Sequence, residues 1–240
     1  MLRSETRVLT RPADWSSPAA QALRISAGLL VILSLAGFAA LSLPWLPAAV
    51  FAVVVLIVCQ CTVQHYRHGD FGLCNSVTLL RAAIIAFLLG ALFDPAFSVW
   101  LFFALSSVAF ALDGFDGWLA RRSGLVSSFG ARFDMETDAA LAAVLALWIL
   151  MGGTTGPDIL VLGFARYVFV VAALALPALQ RELPQAFRRK AICVFQIGTL
   201  MALVLPVTPP WIAPPLSALA AVLVLMSFAV DTVWLVRRSK

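Results

Sequence analysis

Eight stretches of almost wholly apolar residues, each long enough to cross a bilayer, follow one another along a chain of 240 residues. That succession admits one kind of fold. A lipid interior offers backbone groups no water to bond, so a chain crossing it repeatedly in runs of about 17 to 25 residues must do so as helices. The runs lie at about Arg24 to Leu43, Pro47 to Gln64, Ser76 to Phe93, Ala96 to Leu119, Phe133 to Met151, Asp158 to Leu179, Ala191 to Val207 and Ile212 to Val236. A composition 62% hydrophobic and 12% charged excludes both a soluble globular domain and a disordered one. The expected fold class is all-α, a polytopic transmembrane helical bundle of about eight spans.

Arg and Lys collect in cytoplasmic loops, and here their distribution is one-sided. Arg3, Arg7, Arg11 and Arg24 precede or open the first span, and Arg67 lies in the second connection. Arg121, Arg122 and Arg132 lie in the fourth, Arg181, Arg188, Arg189 and Lys190 in the sixth, and Arg237, Arg238 and Lys240 close the chain. The connections around Pro44, Asp94, Gly152 to Asp158 and Thr208 to Pro214 contain neither residue type. Both termini are therefore expected in the cytoplasm, with a bacterial inner membrane as the expected location. The net charge of +5 reflects this topology and contact with anionic lipid rather than nucleic-acid binding. The first apolar run is as long as a span and reads as an anchor, not a removable signal peptide. Cys59, Cys61, Cys74 and Cys193 fall near cytoplasmic ends, where thiols stay reduced. His65 and His68 read as interfacial polar residues, and Trp45, Trp100 and Trp211 as an outer interfacial belt.

Against this background stand four aspartates, Asp113, Asp116, Asp134 and Asp138, within 26 residues. Carboxylates in a membrane segment are costly, so four at helical spacing indicate a bound cation or a reaction. At about 100° per residue, Asp113 and Asp116 lie roughly 60° apart, and Asp134 and Asp138 roughly 40° apart on the next helix. Each helix thus presents two carboxylates on one face, and a short connection keeps the two helices adjacent. Four clustered negative charges cannot all stay ionised without a cation, and oxygen-only ligation points to Mg²⁺ or Mn²⁺. Gly117, Gly124 and Gly130 remove side chains where a nucleotide or a backbone must come close, and Arg121 supplies a fork for phosphate. Read singly, Gly117 and Ala120 serve equally well as small residues for helix packing, and Arg121 and Arg122 as positive anchors.

Taken together, Asp113-x2-Asp116-Gly117-x2-Ala120-Arg121-x8-Gly130-x3-Asp134-x3-Asp138 resembles the signature of the CDP-alcohol phosphatidyltransferase family at every position. Upstream, Asn75, Thr78 and Arg81 resemble the polar entry to that family's first core helix. The resemblance implies a six-helix membrane core, usually dimeric, at residues 75–236. Around it would lie a cytoplasmic segment 1–23, two accessory helices in 24–64, a juxtamembrane linker 65–74 and a tail 237–240.

For mechanism, the resemblance implies that Asp113, Asp116 and Asp134 hold two divalent cations, Mg²⁺ or Mn²⁺, with Asp138 beside them as ligand or base. The acceptor hydroxyl would lose its proton to Asp138 and displace CMP from CDP-diacylglycerol. Asn75, Thr78, Gly117, Ala120, Arg121 and Gly130 would line the CDP pocket with Asp113, and Arg81 would serve either as a phosphate ligand, the favoured reading, or as a snorkelling anchor. The signature is silent on the acceptor. A basic group of Arg132, Arg188, Arg189 and Lys190 suits one carrying phosphate, such as glycerol-3-phosphate or inositol phosphate. As ordinary positive-inside residues they leave serine or another neutral alcohol open. Choline is less favoured, although Trp118 and Tyr167 offer aromatic faces.

Within the spans, Asp231 is a candidate partner for Arg166, although it lies nearer the opposite end of its helix. Glu136 falls about 160° from the mean of Asp134 and Asp138 and is expected in a structural or headgroup position. A divalent-cation channel or transporter is the rival from another class, but it explains neither the clustering at one face nor the residues between the carboxylates. A degenerate structural partner is disfavoured because no signature aspartate is missing.

Overall fold

The computed structural model describes residues 16–176 and 187–237. Arg3, Arg7, Arg11, Arg181, Arg238, Lys240 and the Lys190 side chain, named above for orientation or acceptor binding, lie outside the described residues, as does the sixth expected span beyond 176. Among the described residues there are eight helices and no strand: α1 (Pro18–Ala40), α2 (Leu46–His65), α3 (Gly72–Ala91), α4 (Val99–Ser123), α5 (Ser128–Met151), α6 (Ile159–Ala175), α7 (Phe187–Val204) and α8 (Ala213–Arg237). Helices α1, α2, α3, α4 and α8 are long and apolar enough to cross a membrane. Helix α6 has 17 residues, while α5 and α7 carry the charges of the expected site. The expected polytopic helical bundle is the fold observed.

Four buried or half-buried hydroxyl side chains satisfy their donors within their own helices. Ser26, Thr62, Ser106 and Thr137 each donate to the carbonyl one turn back, at 2.7, 2.7, 2.8 and 2.8 Å. Helices α3 and α5 form the centre of the bundle and pack against each other, α4 lies on α3, α6 on α5, and α7 and α8 close the far side. Helix α4 buries only Phe102, Ser106, Ala109 and Asp116, a narrow stripe, so one face alone meets the protein. Helices α1 and α2 pack on each other and both reach α3.

The elements depart from the hydropathy runs where polar residues carry a helix past the apolar layer. Helix α4 continues through Arg121 and Arg122 to Ser123, and α5 begins at Ser128. The expected connection Arg121 to Arg132 thus shrinks to residues 124–127. Hydropathy senses the bilayer, whereas a helix ends where its backbone is capped. Gly124 ends α4 in the left-handed conformation at φ 70°, which L side chains disfavour. Ser127 starts α5 by accepting a hydrogen bond from the Gly130 amide at 3.0 Å. Gly124 was expected to make room for a ligand or backbone; its place in the fold is that of a helix terminator.

Candidate active site

The hairpin of α4 and α5 does what the spacing predicts and brings all four aspartates to one place, but the group at their centre comes from α3. The Arg81 side chain is 0% exposed. Its Nη1 donates to Asp116 Oδ2 at 3.0 Å and to Asp134 Oδ1 at 2.5 Å. Its Nη2 donates to Asp138 Oδ1 and lies 3.3 Å from Asp113 Oδ1, and Nε donates to the Ala109 carbonyl at 3.0 Å. A planar fork of five donors suits this arrangement, which a lysine could not reproduce. Thr78 adds a hydrogen bond to Asp116 Oδ2 at 2.9 Å. Arg81, expected as a phosphate ligand, thus sits among carboxylates.

One guanidinium against four carboxylates leaves an excess of negative charge, so the donor set suits further cations. Asp113, Asp116 and Asp134 each offer an oxygen within 4.8 Å of the others. Access differs among the four: the Asp116 side chain is 4% exposed, whereas those of Asp113, Asp134 and Asp138 are 34%, 37% and 27% exposed, enough for an ion to arrive from water. Oxygen donors alone favour a hard divalent ion.

Beside the aspartates lies a cleft of about 210 Å³. Asn75, Thr78, Gly117, Ala120, Arg121 and Gly130, all expected at a CDP pocket, line it together with Asp116 and Asp134. Asp113 and Arg81, expected with them, are not among the lining residues. Gly130 faces α3 closely: a Cβ there would come within 3.1 Å of both Asn75 Oδ1 and Ser127 Oγ. The sequence reading missed Ser127 and Cys74, which also line the cleft. A serine three residues before Gly130 was a legible helix-start signal; nothing marked Cys74.

Of the expected acceptor residues, Arg132, Arg188 and Arg189 do not line this cleft. Arg188 on α7 donates to Asp231 Oδ1 at 2.5 Å and to Ser227 Oγ at 2.7 Å on α8, and Arg189 Nη1 lies 3.6 Å from Asp231. Arg132 is exposed on α5. The candidate pairing of Arg166 with Asp231 is overturned, since Arg166 pairs with Glu136 through Nη2 and through Nε at 3.2 Å. The reason is the packing of α6 on α5, which turns the α5 face opposite Asp134 and Asp138 toward Arg166. Trp118 stacks on Phe115, and the Arg122 guanidinium lies over its ring at 5.2 Å.

A membrane helical bundle whose one hairpin gathers four carboxylates beside a cleft defines a membrane protein with a donor set that could hold a metal ion. Comparison with known proteins places it further: a sequence model of CDP-alcohol phosphatidyltransferase matches residues 71–234, and the chain belongs to that family. It is also similar to CDP-diacylglycerol--inositol 3-phosphatidyltransferase 1 of Arabidopsis thaliana, with 49% identity over 51 residues, 21% of this chain and 20% of that protein. The chain thus spans about a fifth of the length of the relative it matches. No solved structure matches.

Proposed function

We propose that the protein transfers a phosphatidyl group from CDP-diacylglycerol to the hydroxyl of a small alcohol and releases CMP. The observation that carries this reading is the contiguity of the cleft with the carboxylates: Asn75, Thr78, Gly117, Ala120, Arg121 and Gly130 line a cavity that Asp116 and Asp134 line as well. Asp113, Asp116 and Asp134, with Asp138 beside them, hold two divalent cations, Mg²⁺ or Mn²⁺, which when bound offset the charge of the diphosphate. Arg121 binds phosphate oxygens at the cleft wall, and Asn75 and Thr78 orient the nucleotide from α3. The acceptor hydroxyl delivers its proton to an Asp138 carboxylate oxygen as its own oxygen bonds to the phosphorus bearing the diacylglycerol. The bond from that phosphorus to the bridging oxygen breaks, and CMP leaves with the electron pair. The new phospholipid keeps its tails in the bilayer throughout.

The active site and both termini face the cytoplasm of a bacterial inner membrane, supported by the one-sided distribution of Arg and Lys. The assembly is a homodimer in which α1 and α2 are additions to a six-helix core at residues 75–236. Glycerol-3-phosphate or inositol phosphate remains the favoured acceptor, with Arg132, Arg188, Arg189 and Lys190 as the cationic group nearest in kind to its phosphate. The name of the Arabidopsis relative adds inositol, a neutral polyol, as a further acceptor to try. Serine stands for the neutral alternatives.

The test is CMP release by purified protein in detergent with CDP-diacylglycerol, Mg²⁺ or Mn²⁺, and each of these alcohols in turn. Acceptor-dependent release that disappears in Asp138→Asn establishes the reaction and names the nucleophile. Protein that binds Mn²⁺ but neither binds CDP nor releases CMP with any acceptor overturns the transferase and favours the transporter reading.

A further inference from the structure

Residues 18–66 precede the family match, yet two of their side chains hold the turn before α3 and one of them touches Asn75, which lines the cleft. Tyr66, the residue that ends α2, directs its hydroxyl at the start of α3, donating to the Asp70 carbonyl at 2.9 Å. The same hydroxyl accepts from Asn75 Nδ2 at 3.2 Å, and Nδ2 also donates to the Phe71 carbonyl at 2.6 Å. Both amide hydrogens of Asn75 are thereby engaged. Its Oδ1 is left on the side facing Gly130, close to it, and both residues line the cleft.

One element further out, Gln21 on α1 grips the same turn from both sides. Its Oε1 accepts from the Phe71 amide at 3.0 Å, and its Nε2 donates to Asp70 Oδ1 at 3.1 Å. The Tyr66 ring also meets Phe129, the neighbour of Gly130, edge-on with centroids 5.4 Å apart. The turn before α3 carries no side-chain cap of its own at Phe71, so these contacts from α1 and α2 are what fix it.

We infer that the two amino-terminal helices serve the active site through Tyr66 and Gln21, which hold the Asn75 amide with its oxygen presented to a donor group of the bound nucleotide. A ribose hydroxyl or an exocyclic amine supplies such a donor. Tyr66 and Gln21 are positioning residues acting through Asn75, and the inference rests on the assignment of this cleft to CDP. An amide with only one of its two donors satisfied would rotate between orientations, and half of them would turn Nδ2 toward the nucleotide.

The experiment measures CDP affinity by calorimetry on the full-length protein in detergent with Mn²⁺, beside thermal stability. Tyr66→Phe keeps the ring on Phe129 and removes only the hydroxyl. A single hydrogen bond corresponds to a roughly three- to tenfold rise in the Kd for CDP. The same variant raises KM for CDP-diacylglycerol by a similar factor with kcat nearly unchanged, a split that a loss of folded protein would not give. Gln21→Leu weakens CDP binding in the same direction by a smaller factor. In an Asn75→Ala background Tyr66→Phe has no further effect on Kd. Wild-type protein that binds CDP while Tyr66→Phe and Gln21→Leu bind it equally well, or additive effects of Tyr66→Phe and Asn75→Ala, overturns the inference alone. Wild-type protein that binds no CDP overturns the transferase assignment and this inference with it.

Discussion

The Arg81 guanidinium lies 3.0 Å from Asp116 Oδ2, with the two side chains 0% and 4% exposed, so this pair is withdrawn from water while the other three aspartates keep a solvent edge. Withdrawing a charge pair is tolerable only when its remaining polar groups are met: Ala109, Asp134 and Asp138 accept from Arg81, and Thr78 donates to Asp116. Arg81 is in effect the cation that the protein supplies to its own acidic site.

Removing that cation strands four carboxylates. Arg81→Met should lower the stability of metal-free protein by about 3 to 5 kcal/mol, the cost of breaking a buried pair from one side. Arg81→Lys should recover only part of this, since a point charge cannot bridge two helices as a fork does. Unfolding in detergent with EDTA measures both, and a fully stable Arg81→Met would refute the role.

The divalent site is separable from the fold for the same reason. Stripping with EDTA should abolish CMP release yet leave the helical signal intact, because Arg81 still tethers α3 to the hairpin. Asp113→Asn, Asp116→Asn and Asp134→Asn should each weaken Mn²⁺ binding, followed by electron paramagnetic resonance, by roughly tenfold or more, the scale of one lost ligand or its support. Unchanged Mn²⁺ binding in all three would remove the metal assignment.

Two glycines of the cleft should differ in their response to a methyl group. In Gly130→Ala the new Cβ stands 3.1 Å from Asn75 Oδ1 and Ser127 Oγ, so α3 or the α5 cap must yield. In Gly117→Ala the nearest atom is Arg121 Nη1 at 3.4 Å, the end of a flexible side chain. CDP affinity should fall at least tenfold more for Gly130→Ala, a difference of about 1.4 kcal/mol. Equal effects would show that the approach of α3 to α5 does not limit the cleft.

On the opposite side of the bundle Asp94 ties two connections together, its Oδ2 accepting from the Ser42 amide at 2.9 Å and its Oδ1 from the Ala96 amide at 3.0 Å. Those backbone donors, Ala96 first and then Ser42, hold the carboxyl below its ordinary value of 3.8. A depressed carboxyl stabilises the fold above its unfolded pKa and loses that contribution as pH falls through the lower folded value. Asp94→Ala should therefore be less thermostable than wild type at neutral pH, with the gap closing below about pH 3.8. A gap that persists at lower pH would show that packing, not the ionised carboxyl, is responsible.

How much of this was visible in the residues varies with the kind of signal. The convergence of Asp113, Asp116, Asp134 and Asp138 followed from helical periodicity, because a hairpin leaves its two helices no other way to face. Glu136 was read correctly as lying away from them for the same reason. Its partner was not legible: pairing Arg166 with Glu136 depends on which helix packs on α5, a tertiary fact that periodicity does not carry. The Arg188 contact with Asp231 was hidden likewise. Arg81 was grouped with Asn75 and Thr78 in the sequence, but its central position depends on α3 lying against the hairpin. Tyr66 stood in a segment whose polar residues matched the membrane interface equally well, and only its hydroxyl contacts separate the two roles.

The chain order of this arrangement bears on how the protein is made. Helix α3 is synthesised before α4 and α5, so the insertion machinery meets a buried arginine before any of the carboxylates that neutralise it exist. The residues 124–127 between α4 and α5 are too few to let one helix settle without the other, and the acidic pair on each makes separate entry costly. The ion cluster around Arg81 therefore closes only once the α4–α5 hairpin stands beside α3, whatever the order in which the helices enter the membrane.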